Sequence, residues 1–150
     1  MNRDEIRQYI QSIQPAAIAD ETGEWLIMQV EATTWKELAL ALRNGEMKMD
    51  YLFCLTCIDW KTHLTMVYHL SATSFRHNLV IKVQLDRNHP QIETVSDIWR
   101  TAEFHEREVF DLFGVRFLHH PDLRRLILTD DFEGYPLLKD FEDPVNMIKL

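Results

Sequence analysis

The sequence predicts an α+β fold: a mainly antiparallel sheet built as a β-meander with packed helices, then a charged helix and an extended C-terminal arm. Three observations carry this. Apolar residues alternate with polar ones in three consecutive runs between residues 50 and 85, separated by short turns, which is the period-2 signature of paired strands. Two earlier segments repeat apolar residues at three- and four-residue spacing, the signature of helices with one buried face. A third helical segment, dense in carboxylates, stops at Gly114, and the remaining chain has no clear period.

In chain order, Ile6, Tyr9, Ile10 and Ile13 predict a helix over 3–14, with Asn2 as its cap and Pro15 as its stop. Residues 16–20 are a short strand candidate, 21–24 with Gly23 a turn, and 25–31 a strand. Thr34 followed by Glu37 is a capping-box pattern, and Trp35, Leu38, Ala39 and Leu42 line one face of the helix it opens. That helix ends at Asn44-Gly45. The meander follows as strands over 50–60, 63–71 and 75–85. Leu64, Met66, Tyr68 and Leu70 share one face of the second, and Leu79, Ile81, Val83 and Leu85 one face of the third. Clean alternation indicates a sheet with one wetter side. The 150 residues fit one domain: a scaffold over 1–92, the charged helix over 93–114 and an interaction arm over 115–150.

Composition narrows the function classes. A formal net charge of -8 argues against a nucleic-acid binder and against unaided adhesion to anionic lipid. No apolar run reaches the roughly 18 residues of a membrane span, and the first ten residues have no apolar signal core. The expectation is a cytoplasmic chain that reaches any membrane complex through another protein. Cys54 and Cys57 form a C-x-x-C, but residues three apart on a strand face opposite ways, so the two thiols are read as buried and free. His105-Glu106 opens like H-E-x-x-H, yet Val109 stands where the second histidine is needed. With four glycines, and with no phosphate loop or serine elbow, a free-standing catalyst has little support. The competing enzyme reading is a small metal-dependent hydrolase built on His105, Glu106 and Asp111.

The stretch over 96–141 holds most of the chemistry. Ser96 or Asp97 is placed to cap its helix, and Gly114 to end it. Ile98, Ala102, His105, Val109 and Leu112 make an apolar face, with Trp99, Glu106, Phe110 and Phe113 beside it. Arg107 lies four residues from both Glu103 and Asp111, so it is expected to sit between two carboxylates. Glu103, Glu106, Glu108 and Asp111 crowd negative charge, and His119, His120, Arg124 and Arg125 offer the relief. The tail after Val115 is too apolar for a solvated disordered segment. It either packs along a partner or folds back over its own sheet, and the two are not exclusive.

Glu106-Arg107-Glu108, Asp111, His120-Pro121-Asp122-Leu123-Arg124-Arg125, Gly134-Tyr135-Pro136-Leu137 and Lys139-Asp140-Phe141 together resemble the signature of the C-type (30 kDa-type) subunit of complex I, the respiratory NADH:quinone oxidoreductase. The motifs cover about the last third of the chain. Leu138 stands where the family pattern has arginine. The resemblance implies a structural subunit that binds no cofactor itself, within a complex that carries NADH, FMN, iron–sulfur clusters and quinone. It implies the hydrogenase-like D-type subunit as the main partner, near the quinone end of the peripheral arm. The cluster-bearing B-type subunit is expected alongside, and the location is the cytoplasmic face of the cell membrane. Energy-converting hydrogenases and related dehydrogenases use a similar subunit. In this reading Glu106, Arg107, Glu108, Asp111, His120, Pro121, Asp122, Arg124, Arg125, Gly134, Pro136, Lys139 and Asp140 are architectural. Arg124→Ala is expected to break a buried network and lower assembly.

Overall fold

The structure, a computed structural model, describes residues 2–145. Helix α1 spans Arg3–Ile13, and its N-terminus is a reciprocal capping box: the Glu5 N–H donates to the Asn2 side chain, and the Asn2 N–H donates to the Glu5 carboxylate. Strands β1 (Ile18–Asp20) and β2 (Ile27–Val30) form an antiparallel pair. Helix α2 (Ala32–Asn44) buries Trp35, Leu38, Ala39 and Leu42, the face that the spacing predicts. Its start corrects the capping-box expectation. The helix begins at Ala32 with Glu31 at the cap position, and Thr34 lies inside it, its hydroxyl donating back to the Glu31 carbonyl and to Gln14.

Strands β3 (Tyr51–Asp59), β4 (His63–Ala72) and β5 (His77–Asp86) are the antiparallel meander. Strand β2 joins β5 in parallel, so the sheet is mixed, in the order β1-β2-β5-β4-β3. One face, with Met66, Tyr68, Ile81 and Val83 fully buried, forms a single core with Ile6 and Ile10 of α1 and the buried face of α2. The other face carries Gln29, Lys82, Gln84 and Thr56, the wetter side.

A bulge in β3 between Leu52 and Cys54 shifts the simple alternation by one residue. Leu52, Leu55, Cys57 and Asp59 are therefore the buried positions. Both cysteines are free, with Cys57 buried and Cys54 half-buried.

Helix α3 spans Ala102–Phe113 and starts later than a cap at Ser96 or Asp97 predicts. Residues 94–101 hold no helix, and neither Ser96 nor Asp97 acts as a cap. Two long-range bonds hold this segment against the beginning of β3: the Trp99 indole N–H donates to the Met49 carbonyl at 2.8 Å, and the Thr101 hydroxyl donates to the Leu52 carbonyl at 2.6 Å. Tertiary bonds, not helix propensity, decide the backbone here. The expected stop holds: Gly114 sits in the left-handed region at φ 79°, where a Cβ would also come within 2.8 Å of the Tyr135 ring.

The expectation of an extended tail with little regular structure needs one correction. The tail contains strand β7 (Arg116–Leu118), parallel to β6 (Gln91–Glu93), in a second small sheet. From there the chain folds back over the domain. Leu123 and Leu138 pack on the core, while Leu126, Ile127 and Leu137 remain exposed. The last five residues of the predicted arm lie outside the described residues.

Candidate functional site

The charged helix and the folded-back tail form one polar framework. Two of its carboxylates are fully buried, Glu106 and Asp111, and each has its own set of donors. An isolated buried carboxylate is costly, so those donors decide whether the helix can pack here at all.

Asp111 organises the tail. Its Oδ2 accepts from three consecutive backbone N–H groups, Leu126 at 3.3 Å, Ile127 at 2.7 Å and Leu128 at 2.9 Å. Its Oδ1 accepts from Arg125 at 3.0 Å. Burial raises the Asp111 pKa, but the amides of Leu128 and Ile127, the Arg125 guanidinium and the Leu126 amide outweigh it and hold the carboxyl below its ordinary value. Arg125 then reaches outward, its second amino group donating to the Phe132 carbonyl at 3.1 Å and the Gly134 carbonyl at 3.0 Å. The Tyr135 ring centre lies 5.2 Å from this guanidinium.

Arg107 overturns the expected ladder on the helix surface. It is buried and turned to the tail, donating from Nε to the Arg124 carbonyl at 3.1 Å and from Nη2 to the Arg125 carbonyl at 2.9 Å. The cation beside Asp111 is Arg125. His120 adds a further tie. Its Nδ1 accepts from the Asp122 N–H at 3.0 Å, so Nε2 carries the proton and donates to the Glu103 carbonyl at 3.0 Å. His119 points elsewhere, to Glu93, from a left-handed backbone at φ 63°. Arg124 corrects another expectation: its side chain is 67% exposed and pairs with Asp122, so the arginines that reach into the network are Arg107, which is buried, and Arg125, which is half-buried.

A second clasp holds the end of the tail. Asp59 accepts two bonds from Arg87, at 2.9 and 2.8 Å, and one each from the Lys61 and Lys139 N–H groups. The Arg87 bonds hold this carboxyl well below the usual range. Arg87 also pairs with Asp140 at 2.9 Å. Gly134 takes φ 87°, beside the stacked Phe132 and Phe141 rings. Pro136 follows in the same turn, half-buried, and Pro121 is exposed at the turn after His120. Among the described residues Glu108, half-buried on the helix, joins none of these bonds.

Thr94, Asp59 and Arg87 belong to the framework but not to the sequence-predicted set. Asp59 had a legible signal, a carboxylate two residues beyond Cys57 on the inward side of a strand. Thr94 had none.

The arrangement is satisfied rather than reactive. Glu106 is bonded to Thr94 and Val95 and Asp111 to the tail, while His105 is half-buried on the same helix. The three do not converge, which corrects the hydrolase set. Among the described residues no three His, Cys, Asp or Glu side chains gather as a metal set. Burial, with the charge of Asp59 second, pushes the Cys57 thiol up to about 12, far from a nucleophile. Among the described residues no helix is long and apolar enough to cross a membrane.

Comparison with known proteins agrees with the motif reading. Residues 28–145 match the family described as respiratory-chain NADH dehydrogenase, 30 Kd subunit. The chain is 45% identical over 125 residues to the fused C/D-type subunit of NADH-quinone oxidoreductase from Phocaeicola vulgatus, covering 82% of this chain and 24% of that protein. It is 44% identical to the C-type subunit from Moorella thermoacetica, covering 69% of this chain and 72% of that one. The C-type subunit from Chloroherpeton thalassium is 40% identical, with 46% of its length covered, so the chain spans a quarter to a half of several curated relatives. Among solved structures, the trypsin-resistant fragment of Nqo5 shares the fold at a TM-score of 0.73, with 24% identity over 82% of this chain and all of that one. A chain of the membrane-bound sulfane sulfur reductase, an archaeal respiratory membrane complex, superposes at 0.75, with 28% identity over 93% of this chain and 85% of that one. A family match over most of the chain, on the same stretch that carries the Glu-Arg-Glu helix and its basic loop, makes this protein a member of the respiratory-chain NADH dehydrogenase 30 kDa subunit family.

Proposed function

We propose that the chain is a structural subunit, without a cofactor of its own, in the peripheral arm of a proton-translocating NADH:quinone oxidoreductase. In this role it braces the hydrogenase-like D-type subunit near the quinone end of the arm, next to the B-type one, at the cytoplasmic face of the membrane. NADH, FMN, iron–sulfur clusters and quinone belong to the rest of the complex. The observation that carries this reading is the folded-back tail. Buried polar anchors fix its backbone, yet Leu126, Ile127 and Leu137 point to solvent, as does Phe104 on α3 beside Arg107. A rigid segment that displays apolar side chains suits docking rather than catalysis. Relatives of the fused C/D type support the D-type partner, because one chain there carries both names.

Co-expression with the hydrogenase-like partner, followed by size-exclusion chromatography and metal analysis, tests this. A stoichiometric complex with no metal on this chain is the expected result. A chain that stays free and carries about one metal ion would refute it. The likeness to a chain of the sulfane sulfur reductase favours one second reading, an equivalent component of a related membrane-bound hydrogenase or dehydrogenase. The partner proteins encoded beside this chain decide between the two assemblies.

A further inference from the structure

Glu106 differs from the other buried carboxylates of the framework. It is fully buried, yet the groups bonded to it are one N–H, from Val95 at 2.9 Å, and one hydroxyl, from Thr94. The cation whose charge reaches it, Lys36 on α2, is already committed to the Thr94 carbonyl and to Asp97. Two other buried polar groups lie in the same core. The Tyr68 hydroxyl on β4 and the Trp35 indole N–H on α2 lack a well-formed hydrogen bond among the described residues, and their rings are 4.8 Å apart. The Glu106 charge is felt at Tyr68.

The Thr94 hydroxyl is the unusual atom. It lies 2.7 and 2.8 Å from the two Glu106 oxygens and 2.7 Å from the Ser96 hydroxyl, and it accepts from the Ser96 N–H at 3.1 Å. A hydroxyl has one proton to donate and two lone pairs. With one lone pair used by the Ser96 N–H, two arrangements remain. If Glu106 is ionised, Thr94 donates to it and Ser96 donates to Thr94. If Glu106 is protonated, it donates to Thr94 and Thr94 donates to Ser96. The two differ by one proton: a proton taken up at Ser96, with one proton shifted along each of the two hydrogen bonds, converts the first into the second. Thr94 and Ser96 also line a cleft of about 480 Å³ together with Lys36, Asp97, Arg100 and His119.

We infer that Glu106 is a proton-binding site, loaded from this cleft through the Ser96–Thr94 hydroxyl pair, and that its protonation state sets how firmly residues 94–101 are held. The proton enters at Ser96, and Thr94 passes its own proton on to Glu106 as it accepts one. No bond to carbon forms or breaks, and no oxidant is needed. The groups that bias the site are Lys36 on α2, Asp97 in the turn and Tyr68 on β4. Burial is the largest influence and raises the carboxyl to about 7, against the bonds from Thr94 and Val95 and the charge of Lys36, with Asp97 adding to the rise. Loss of the proton leaves a buried charge that the turn segment must hydrate, so 94–101 loosens above neutrality.

Carbon-13 titration of the glutamate carboxyls in the whole chain, from about pH 5 to about pH 9, tests the site directly. One glutamate is expected to titrate near neutrality and to vanish from the spectrum in Glu106→Gln. Thr94→Val, which keeps the carboxyl but removes a bond to its charged form, moves that midpoint upward. Exchange of amides 94–101, corrected for the intrinsic pH effect, is then about tenfold faster in the wild type than in Glu106→Gln at the alkaline end. Should Glu106→Gln fail to fold, the wild-type titration and the direction of the Thr94→Val shift still decide. All glutamates titrating in the ordinary acidic range, or a Thr94→Val midpoint that moves downward, overturns the inference.

Discussion

The sheet scaffold and the tail after Leu118 are held by opposite means. In the scaffold, Trp35, Leu38, Met66, Tyr68 and Ile81 are wholly buried, and apolar contact supplies the cohesion. In the tail, few side chains reach the core. Its backbone is instead gathered by carboxylates that belong to the scaffold and α3: Asp111 takes three amides and Arg125, and Asp59 takes the Lys139 amide and Arg87. Apolar packing tolerates small shifts, whereas a carboxylate with several fixed donors specifies one backbone path. A segment that has to present apolar side chains outward, without burying them itself, needs that second kind of attachment.

The contrast predicts a ranking of substitutions. Asp111→Ala is the most damaging, at about 3–5 kcal/mol, because it removes the carboxylate partner of the half-buried Arg125 and leaves three amides without their acceptor. Its effect is expected in the tail first, read as proteolytic cleavage within 119–145 while the sheet stays folded. Ile81→Ala costs about 2–5 kcal/mol by cavity formation, and it is expected to lower the global denaturation midpoint without loosening the tail selectively. If both variants melt the molecule as one unit, the two-region description fails.

pH separates the regions further. Glu106 has a folded-state value near 7 against a reference of 4.5, so its contribution is fully present below about 4.5 and is lost as pH rises through 7. Glu106→Gln is therefore expected to be flatter in stability between those limits, by roughly 1–3 kcal/mol. Asp111 and Asp59 have the opposite sign. Their folded values lie below the ordinary 3.8, so the stability they provide is present above it and is lost only as acid protonates them in the fold. Acid titration followed by residue-resolved hydrogen exchange is expected to release the tail first. The smallest effect is assigned to Arg124→Ala. Its exposed pair with Asp122 contributes no more than about 1 kcal/mol, and a melting curve within error of the wild type is the expected outcome.

Much of the scaffold was legible because periodicity reports burial directly. The meander, the α2 face and the Asn2 cap follow from residue spacing alone. What spacing missed were places where one distant bond overrides local preference. Residues 94–101 look like the first turns of a helix, but Trp99 and Thr101 are tied to Met49 and Leu52, and the helix starts only at Ala102. Arg107 and Asp111 are four apart and of opposite charge, which suggests a pair. Both instead turn to the tail, because its unpaired amides and carbonyls need them more than a solvated ion pair would. Similarly, the family motif set Arg124 and Arg125 side by side and gave no indication that Arg124 is exposed while Arg125 reaches Asp111. Leu138 is half-buried and packs on the core.

The most direct test of the anchored tail is hydrogen exchange at the Leu126, Ile127 and Leu128 amides, compared between the wild type and Asp111→Asn. All three are expected to be slow in the wild type and to accelerate together in the variant, with the β4 amides unchanged. Fast exchange at these amides in the wild type, or an unaltered pattern in Asp111→Asn, would contradict the account.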